Sequence, residues 1–228
     1  LGPATNTKET LTELASSGVN VFRINFSHAD YEDVKKRVKQ IREINHENGY
    51  NVAVLADLQG PKLRVGVMEE GIMLKDGDEF IFTTEECVGN NEKAYMTYQN
   101  FPRDVKPGEQ ILVDDGKLLF EVISTDKKLK VVTKVIVGGV LSSKKGVNLP
   151  NTNISLPALT EKDKKDAIFA LGLEVDWMAL SFVRTPEDLR ILRDLIAQNS
   201  EYRVPVIAKI EKPEAVANMD ALIPYCDG

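Results

Sequence analysis

The stretch Val204-Pro205-Val206-Ile207-Ala208-Lys209-Ile210-Glu211 is an apolar run that ends in a cation and an anion. Its β-branched residues predict a short buried strand, and the side chains of a strand alternate between its two faces. Lys209 and Glu211 are therefore predicted to leave the C-terminal end of the strand on the same side. Placed together, they could hold a metal ion and a developing negative charge. Taken alone, the segment is equally compatible with a Lys–Glu pair in a solvated loop.

Three more apolar segments, at residues 19–24, 52–56 and 177–180, have the pattern of short buried strands. Amphipathic helices are predicted at residues 10–17, 31–48, 160–171 and 215–223, with a further helix beginning at Thr185-Pro186. Apolar strands that alternate with amphipathic helices are typical of a parallel sheet covered on both faces. No glycine-rich nucleotide-binding loop of the common types follows a strand. The pattern predicts part of a (β/α)8, or TIM, barrel.

The middle of the chain, residues 62–156, has a different pattern. Apolar residues alternate with polar ones, turn signals recur, and strands are predicted at residues 80–84, 111–113, 118–123 and 129–136 without a helical stripe. Such a series of short strands is typical of a small β-barrel or sandwich. The predicted fold class is α/β: a partial (β/α)8 barrel over residues 1–61 and 157–228, with an inserted all-β domain, a small β-barrel or sandwich, over residues 62–156.

Charge and composition exclude several classes of function. The formal charge of the 228 residues is −6, and no basic block is present, which argues against nucleic acid as a partner. No stretch approaches the roughly 18 apolar residues of a membrane span, and no signal sequence opens the chain. Cys87 and Cys226 lie far apart in sequence, without the spacing of metal ligands. They are predicted to be reduced thiols in a cytoplasmic protein.

Polar and charged side chains lie at or after the end of each of the four predicted strands. They are Arg23, Asn25 and Ser27 for the first, Asp57, Lys62 and Arg64 for the second, Ser181 and Arg184 for the third, and Lys209 and Glu211 for the fourth. In a (β/α)8 barrel the catalytic groups lie at the C-terminal ends of strands. An arginine within an apolar strand is costly unless it meets an anion, which favours a ligand role for Arg23. Cations and carboxylates at one rim suit a phosphorylated substrate and a divalent metal ion.

These strand ends, together with one segment of the middle region, resemble the motifs of a known family. Its motifs are Arg23-Ile24-Asn25-Phe26-Ser27-His28, the turn from Asp57 to Arg64, Lys144-Lys145-Gly146-Val147-Asn148-Leu149-Pro150, Ser181-Phe182-Val183-Arg184 and Lys209-Ile210-Glu211. Each is weak alone, but in this order they closely resemble the pyruvate kinases over the whole chain. The resemblance implies a (β/α)8 barrel with a mobile β cap inserted after its third strand, so the strand missing here is the first.

The resemblance also implies an activity. It is the transfer of a phosphoryl group from phosphoenolpyruvate to ADP in glycolysis, which gives ATP and an enolate that is protonated to pyruvate. By motif, Arg23 would contact the transferring group, catalytic Lys209 would neutralise that group and the enolate oxygen, and Glu211 would bind Mg²⁺ or Mn²⁺. Arg64 and Lys145 would contact the phosphates of ADP or ATP. The implied whole protein is a cytoplasmic homo-oligomer, a homotetramer.

A monovalent-cation site is the third implication. The matching residues are Asn25, Ser27, Asp57 and Leu58. Many pyruvate kinases require K⁺ and carry Glu where this chain has Lys62, and Thr-Lys where it has Leu58-Gln59. The tethered ammonium of Lys62 is therefore expected to replace the K⁺ ion. Two further residues are expected to be structural: His28 as a hydrogen-bonded residue, and Asp115 as a turn residue, with an approach to the metal in a closed cap as the alternative for Asp115.

The chain departs from the family pattern at its end. The next strand of the family, whose Ala-Arg-Gly-Asp string supplies a second metal carboxylate, does not follow Gly228. This chain alone is therefore expected to be inactive. Two alternatives stay open. One is another metal-dependent barrel that acts on an enolate, such as a lyase, which would need neither Arg64 nor Lys145 for ADP. The other is a non-catalytic binding fragment.

Overall fold

The computed structural model describes residues 1–228, with the exception of the side chain of His28. Its α-helices are α1 (Lys8–Ser16), α2 (Tyr31–Asn48), α3 (Phe101–Asp104), α4 (Glu161–Gly172), α5 (Pro186–Asn199), α6 (Pro213–Ala217) and α7 (Met219–Leu222). Its strands are β1 (Val21–Asn25), β2 (Ala53–Asp57), β3 (Met73–Leu74), β4 (Glu79–Thr83), β5 (Lys93–Tyr95), β6 (Gln110–Val113), β7 (Leu118–Thr125), β8 (Lys130–Val137), β9 (Gly139–Val140), β10 (Val147–Asn148), β11 (Trp177–Leu180) and β12 (Val206–Ala208). Short 3₁₀ helices cover Pro3–Thr5, Phe26–His28 and Ile223–Tyr225.

The chain divides into two compact units, one formed by Leu1–Pro61 with Pro157–Gly228 and the other by Lys62–Leu156. The first unit contains a four-stranded sheet in the order β1-β2-β11-β12. Its neighbouring strands are all parallel. The α/β content and the parallel sheet predicted for this part of the chain are confirmed.

Helix α2 forms where the sequence places it. The carboxylate of Asp30 caps its N-terminus by accepting a hydrogen bond from the backbone N of Asp33 at 3.0 Å. Gly49 ends the helix with φ 69°, a left-handed conformation that glycine adopts without steric cost. The predicted apolar stripe is buried; it consists of Val34, Val38, Ile41 and Ile44. Helix α2 therefore packs one face against the core of the first unit.

Helix α4 begins with the predicted capping box of Thr160 and Asp163. Its end differs from the prediction, because Gly172 is the last helical residue and Leu173 is the cap. The left-handed residue is Glu174, with φ 54°. The chain therefore reverses two residues later than the glycine indicates.

The predicted helix over residues 215–223 is wrong as a single element. The structure has α6, α7 and a 3₁₀ helix in its place. The break falls at Asn218, whose φ of −101° and ψ of 13° are not helical. Its side-chain amide donates to the carbonyl oxygen of Arg184 at 3.0 Å, a tertiary contact that helix periodicity does not reveal.

The second unit contains a six-stranded sheet in the order β10-β6-β7-β8-β4-β5. Strands β4 and β5 pair in parallel, and the other neighbours are antiparallel. Four fully buried phenylalanines form the centre of its core: Phe80, Phe82, Phe101 and Phe120. The sequence did not predict α3, which carries Phe101, because four residues are too short to show a helical period.

The described part of the chain contains no helix that is both long and apolar enough to cross a membrane.

Candidate active site

The parallel sheet of the first unit brings four strand ends together. Asn25 pairs with Asp57 across β1 and β2, and Asp57 pairs with Ala179 of β11. Leu180 in turn pairs with Ala208 of β12. Because the strands are parallel, the residues that follow them leave the same edge of the sheet. Among the side chains singled out, Arg23, Asp57, Ser181, Lys209 and Glu211 of the first unit are joined by direct contacts.

Asp57 is at the centre of this group, and its side chain is only 3% exposed. The Nε atom of Arg23 donates to its Oδ2 at 2.6 Å, and a terminal guanidinium nitrogen of Arg23 contacts the same oxygen. The ammonium of Lys209 lies 3.1 Å from Oδ1 of Asp57. One buried carboxylate thus holds two cations in fixed positions.

Lys209 has two further partners. Its Nζ atom lies 2.9 Å from the hydroxyl oxygen of Ser181 and 3.5 Å from Oε1 of Glu211. The ammonium group has three protons to donate. With Asp57, Ser181 and Glu211 around it, Lys209 is oriented yet remains 29% exposed, so it is accessible to a ligand. The alternation predicted from the sequence agrees with the proximity of Lys209 and Glu211.

Glu211 is fixed through its second oxygen. The backbone N of Phe182 donates to Oε2 at 3.0 Å, and Phe182 has the unusual φ of 55°. A non-glycine residue at positive φ is uncommon and is often found at functional sites. The Glu211 side chain is 36% exposed, and carboxylate oxygens are the ligands that Mg²⁺ prefers. Among the residues that the structure describes, no group of three or more His, Cys, Asp or Glu side chains is arranged to hold a metal ion.

The four residues matched to a monovalent-cation site can all present oxygen atoms, although by different means. The side-chain oxygen of Asn25 accepts a hydrogen bond from the backbone N of Ser27 at 2.9 Å. The side chain of Leu58 has no oxygen atom, so only its backbone carbonyl can serve as a ligand. That carbonyl accepts a hydrogen bond from the hydroxyl of Ser181 at 2.6 Å. Ser181 thus connects Lys209 to Leu58, a contact that the sequence did not predict.

Arg184 lies in a different environment from that expected at the rim. Its side chain is 14% exposed, and a terminal nitrogen lies 3.9 Å from Asp188 of α5. The backbone N of Arg184 also donates to Asp188, at 3.0 Å. These contacts tie the residue to the start of α5. The side chain of His28 lies outside the described residues.

Gly60 holds the turn after β2 close to the turn after β11. Its φ is 68°, and an added Cβ atom would lie 2.9 Å from a ring carbon of Phe182. We expect Gly60→Ala to destabilise the protein by about 2–3 kcal/mol, from backbone strain together with this overlap. Gly49→Ala is the matched control, because Gly49 has φ 69° and nothing within 4 Å of its Cβ position. Urea unfolding measures the free energy of unfolding of both variants. Equal decreases in that free energy would contradict the close approach at Gly60.

The second unit carries the two cations matched to nucleotide phosphates. A terminal nitrogen of Arg64 donates to the carbonyl oxygen of Lys144 at 2.7 Å. The ammonium of Lys145 lies 3.0 Å from Oδ1 of Asp114, and that of Lys117 lies 3.0 Å from Oδ2. Hydrogen bonds from Lys117 and then Lys145 hold the pKa of Asp114 below its usual value. Arg64 and Lys145 are each placed by contacts within this unit.

The surroundings of Lys62 within the second unit shift the pKa of its ammonium. Partial burial lowers the pKa of its ammonium, and the charge of Arg64 adds to this effect. The carboxylate of Asp115 opposes both and raises the pKa. Lys62 therefore has an environment that differs from that of a fully solvated turn lysine.

Comparison with known proteins gives a consistent result. A family model described as the pyruvate kinase barrel domain matches residues 1–228. The chain is 41% identical to pyruvate kinase of Geobacillus stearothermophilus over 230 residues, which cover 100% of this chain and 39% of the relative. It is 42% identical to pyruvate kinase of Corynebacterium efficiens over 224 residues, covering 98% and 47%. It is 44% identical to pyruvate kinase 2 of a Synechocystis species over 232 residues, covering 100% and 39%. The chain spans less than half the length of these curated relatives.

Proposed function

The chain belongs to the pyruvate kinase family, and we propose that the whole protein transfers the phosphoryl group of phosphoenolpyruvate to ADP. The bond from phosphorus to the enol oxygen breaks, and a new bond forms to a terminal phosphate oxygen of ADP. The resulting enolate takes up a proton at carbon to give pyruvate. The observation that carries this proposal is the pair of cations, Arg23 and Lys209, held on the buried carboxylate of Asp57 beside Glu211.

Lys209 is the proposed catalytic residue. Phosphoryl transfer passes through a loose transition state, so catalysis depends on positioned positive charge more than on covalent chemistry. As the bond to the enol oxygen breaks, negative charge grows on that oxygen. The ammonium of Lys209, already oriented by Asp57 and Ser181, can neutralise this charge without reorganising.

Arg23 is proposed to bind the transferring phosphoryl group. Its guanidinium is anchored on Asp57, yet the side chain is 54% exposed and so is accessible to an anion. Guanidinium groups bind phosphate oxygens through paired hydrogen bonds. Anchoring fixes the direction of those donors before the substrate arrives.

Glu211 is proposed to hold Mg²⁺ or Mn²⁺ together with oxygens of the substrate. Such an ion neutralises charge on the phosphoryl oxygens, and a site of this kind commonly uses one or two carboxylates. Glu211 fits this role because it is partly exposed and its carboxylate is oriented by the backbone of Phe182. A second carboxylate would come from the family's Ala-Arg-Gly-Asp string in the whole protein.

Arg64 and Lys145 are proposed to contact the phosphates of ADP and ATP.

In the whole protein, the four-stranded parallel sheet would be part of a (β/α)8 barrel, and residues 62–156 would be its inserted cap domain. Family resemblance supports a cytoplasmic homotetramer as the form of the whole protein. Asn25, Ser27, Asp57 and the carbonyl of Leu58 are the proposed oxygen ligands of the monovalent-cation site, where Lys62 replaces K⁺.

The test of this function is a coupled assay that detects pyruvate. With phosphoenolpyruvate, ADP and Mg²⁺, we expect turnover by the whole protein and none by the 228-residue chain alone. The chain supplies one metal carboxylate, Glu211, and should hold Mg²⁺ weakly. Normal turnover by the chain alone would contradict the second half of this prediction. ADP binding by the whole protein separates it from a lyase, which would not need Arg64 and Lys145.

A further inference from the structure

The first turn of helix α4 contacts both loops that carry the proposed cation-site residues. The ammonium of Lys162 donates to the carbonyl oxygen of Phe26 at 2.8 Å, in the loop after β1 that contains the short 3₁₀ helix Phe26–His28. The next residue, Asp163, accepts a hydrogen bond from the backbone N of Gly60 at 3.0 Å, in the turn after β2. Two adjacent residues of one helix therefore bind the two loops.

Lys162 is held in place by a buried carboxylate. Its Nζ atom lies 2.5 Å from Oδ2 of Asp166, one helical turn further along α4. The other oxygen of Asp166 accepts a hydrogen bond from the hydroxyl of Tyr31 at 2.7 Å. Asp166 is only 2% exposed. Burial and this hydrogen bond raise the pKa of Tyr31 to about 12, and the protonated hydroxyl is the donor.

The aromatic ring of Tyr31 adds a packing contact to this network. It stacks on the ring of Phe169 of α4, with a centroid separation of 4.0 Å and an interplanar angle of 7°. Tyr31 is the first residue of α2 and follows the loop that contains Phe26. The loop is therefore joined to α4 at Phe26, by Lys162, and just after its end, by Tyr31.

Asp163 is also held in place by hydrogen bonds. It is fully buried, and its Oδ2 accepts hydrogen bonds from the backbone N of Thr160 at 2.9 Å and from the Thr160 hydroxyl at 2.5 Å. The remaining oxygen, Oδ1, is the one that binds Gly60. A capping box alone needs no contact outside the helix, so the bond to Gly60 goes beyond the capping role.

We propose that Lys162 and Asp163 are positioning residues that set the spacing between the loop of Phe26 and Ser27 and the turn at Gly60, beyond the point where strand pairing fixes Asn25 beside Asp57. This inference rests on the proposed function, because it assigns the spacing of those loops to the phosphoryl-transfer site. An ordinary exposed Lys–Asp pair at i,i+4 would contribute little and would bind no distant backbone. Here the lysine also binds the carbonyl of a residue that is 136 positions away in sequence.

The test is Lys162→Met in the whole protein, with Lys164→Met as the matched control. Lys164 lies on the same helix, and its partner is the exposed Glu161 at 2.7 Å. We expect Lys162→Met to lower kcat about tenfold or more, since displacements near 1 Å at a reacting centre can cost about 100-fold. The KM for ADP should change less than about twofold, because the proposed nucleotide contacts lie in the second unit. Lys162→Arg should recover most of kcat.

Hydrogen exchange of the same variants provides a readout that does not depend on catalysis. Lys162→Met should speed exchange in residues 25–29, while the amide of Gly60 stays protected by Asp163. Exchange rates and kcat that match those of Lys164→Met would overturn the proposal. The proposal would also fail if thermal unfolding showed that a smaller folded fraction explains the loss of kcat, and if Lys162→Arg did not restore kcat. If the unmutated protein transfers no phosphoryl group, the proposed function fails, and hydrogen exchange alone still decides whether Lys162 positions the loop.

Discussion

Lys209→Met in the whole protein is expected to lower kcat by about 100- to 1,000-fold, while the dissociation constant for phosphoenolpyruvate rises less than about tenfold. Removal of one positioned group that stabilises developing charge typically costs this much in rate. The charge that Lys209 meets is larger in the transition state than in the bound substrate, so the loss falls on kcat. Steady-state kinetics and direct binding measure the two quantities separately.

A structural contribution of Lys209 must be separated from its catalytic one. Asp57 is buried, and the substitution removes one of its two cationic partners. Some loss of stability is therefore expected, which thermal unfolding of the variant measures. Lys39→Met is the control, because the side chain of Lys39 is 76% exposed and lies in the same unit. A large rise in the dissociation constant for phosphoenolpyruvate with kcat nearly unchanged would contradict the proposed role of Lys209.

The second large effect concerns potassium. We expect the whole protein to be active without K⁺, and Lys62→Glu to make it K⁺-dependent. One unit charge about 5 Å from a developing anion, at an effective dielectric constant of about 20, is worth roughly 3 kcal/mol. This corresponds to about two orders of magnitude in rate, which is enough for the Lys62 ammonium to replace the ion.

The pKa of Lys62 adds a pH dependence with a definite sign. Burial and Arg64 lower this pKa, so Lys62 loses its proton at a lower pH than an ordinary lysine does. K⁺-independent activity should therefore decline as the pH rises through the lowered pKa, and added K⁺ should begin to activate the enzyme there. Initial rates with KCl or with an organic chloride salt, at constant ionic strength, measure the effect. Strong activation of the unmutated protein by KCl at neutral pH would refute the role of Lys62.

The elements that could be predicted from sequence are those with strong local signals. Helix α2 has a regular apolar stripe, an Asp cap and a terminal Gly49, and its predicted bounds are the observed ones. Helices α6 and α7 are predicted as one, because the apolar pattern carries no signal for the break at Asn218, whose side chain contacts the backbone of Arg184. Helix α3 is too short for a helical period to be visible in its sequence. Local patterns thus predict long elements, whereas breaks and short turns depend on tertiary contacts.

The same distinction applies to the candidate site. Strand alternation predicts that Lys209 and Glu211 share one side, and an arginine in an apolar strand predicts an anionic partner for Arg23. That partner proved to be Asp57, which the sequence alone could not pair with Arg23. The contacts of Ser181 and Lys162 with the backbone carbonyls of Leu58 and Phe26 were also not predictable. Hydroxyl and ammonium groups near a strand or helix end have many possible acceptors, and only the fold selects one.

The most direct test of the account is to follow the phosphorus of phosphoenolpyruvate by ³¹P NMR in the presence of the whole protein, ADP and Mg²⁺. We predict that the phosphoenolpyruvate resonance disappears as the γ-phosphate resonance of ATP grows in equal amount. Lys209→Met should slow both changes together. Release of inorganic phosphate without ATP, or no change in the phosphoenolpyruvate resonance, would contradict the proposed phosphoryl transfer.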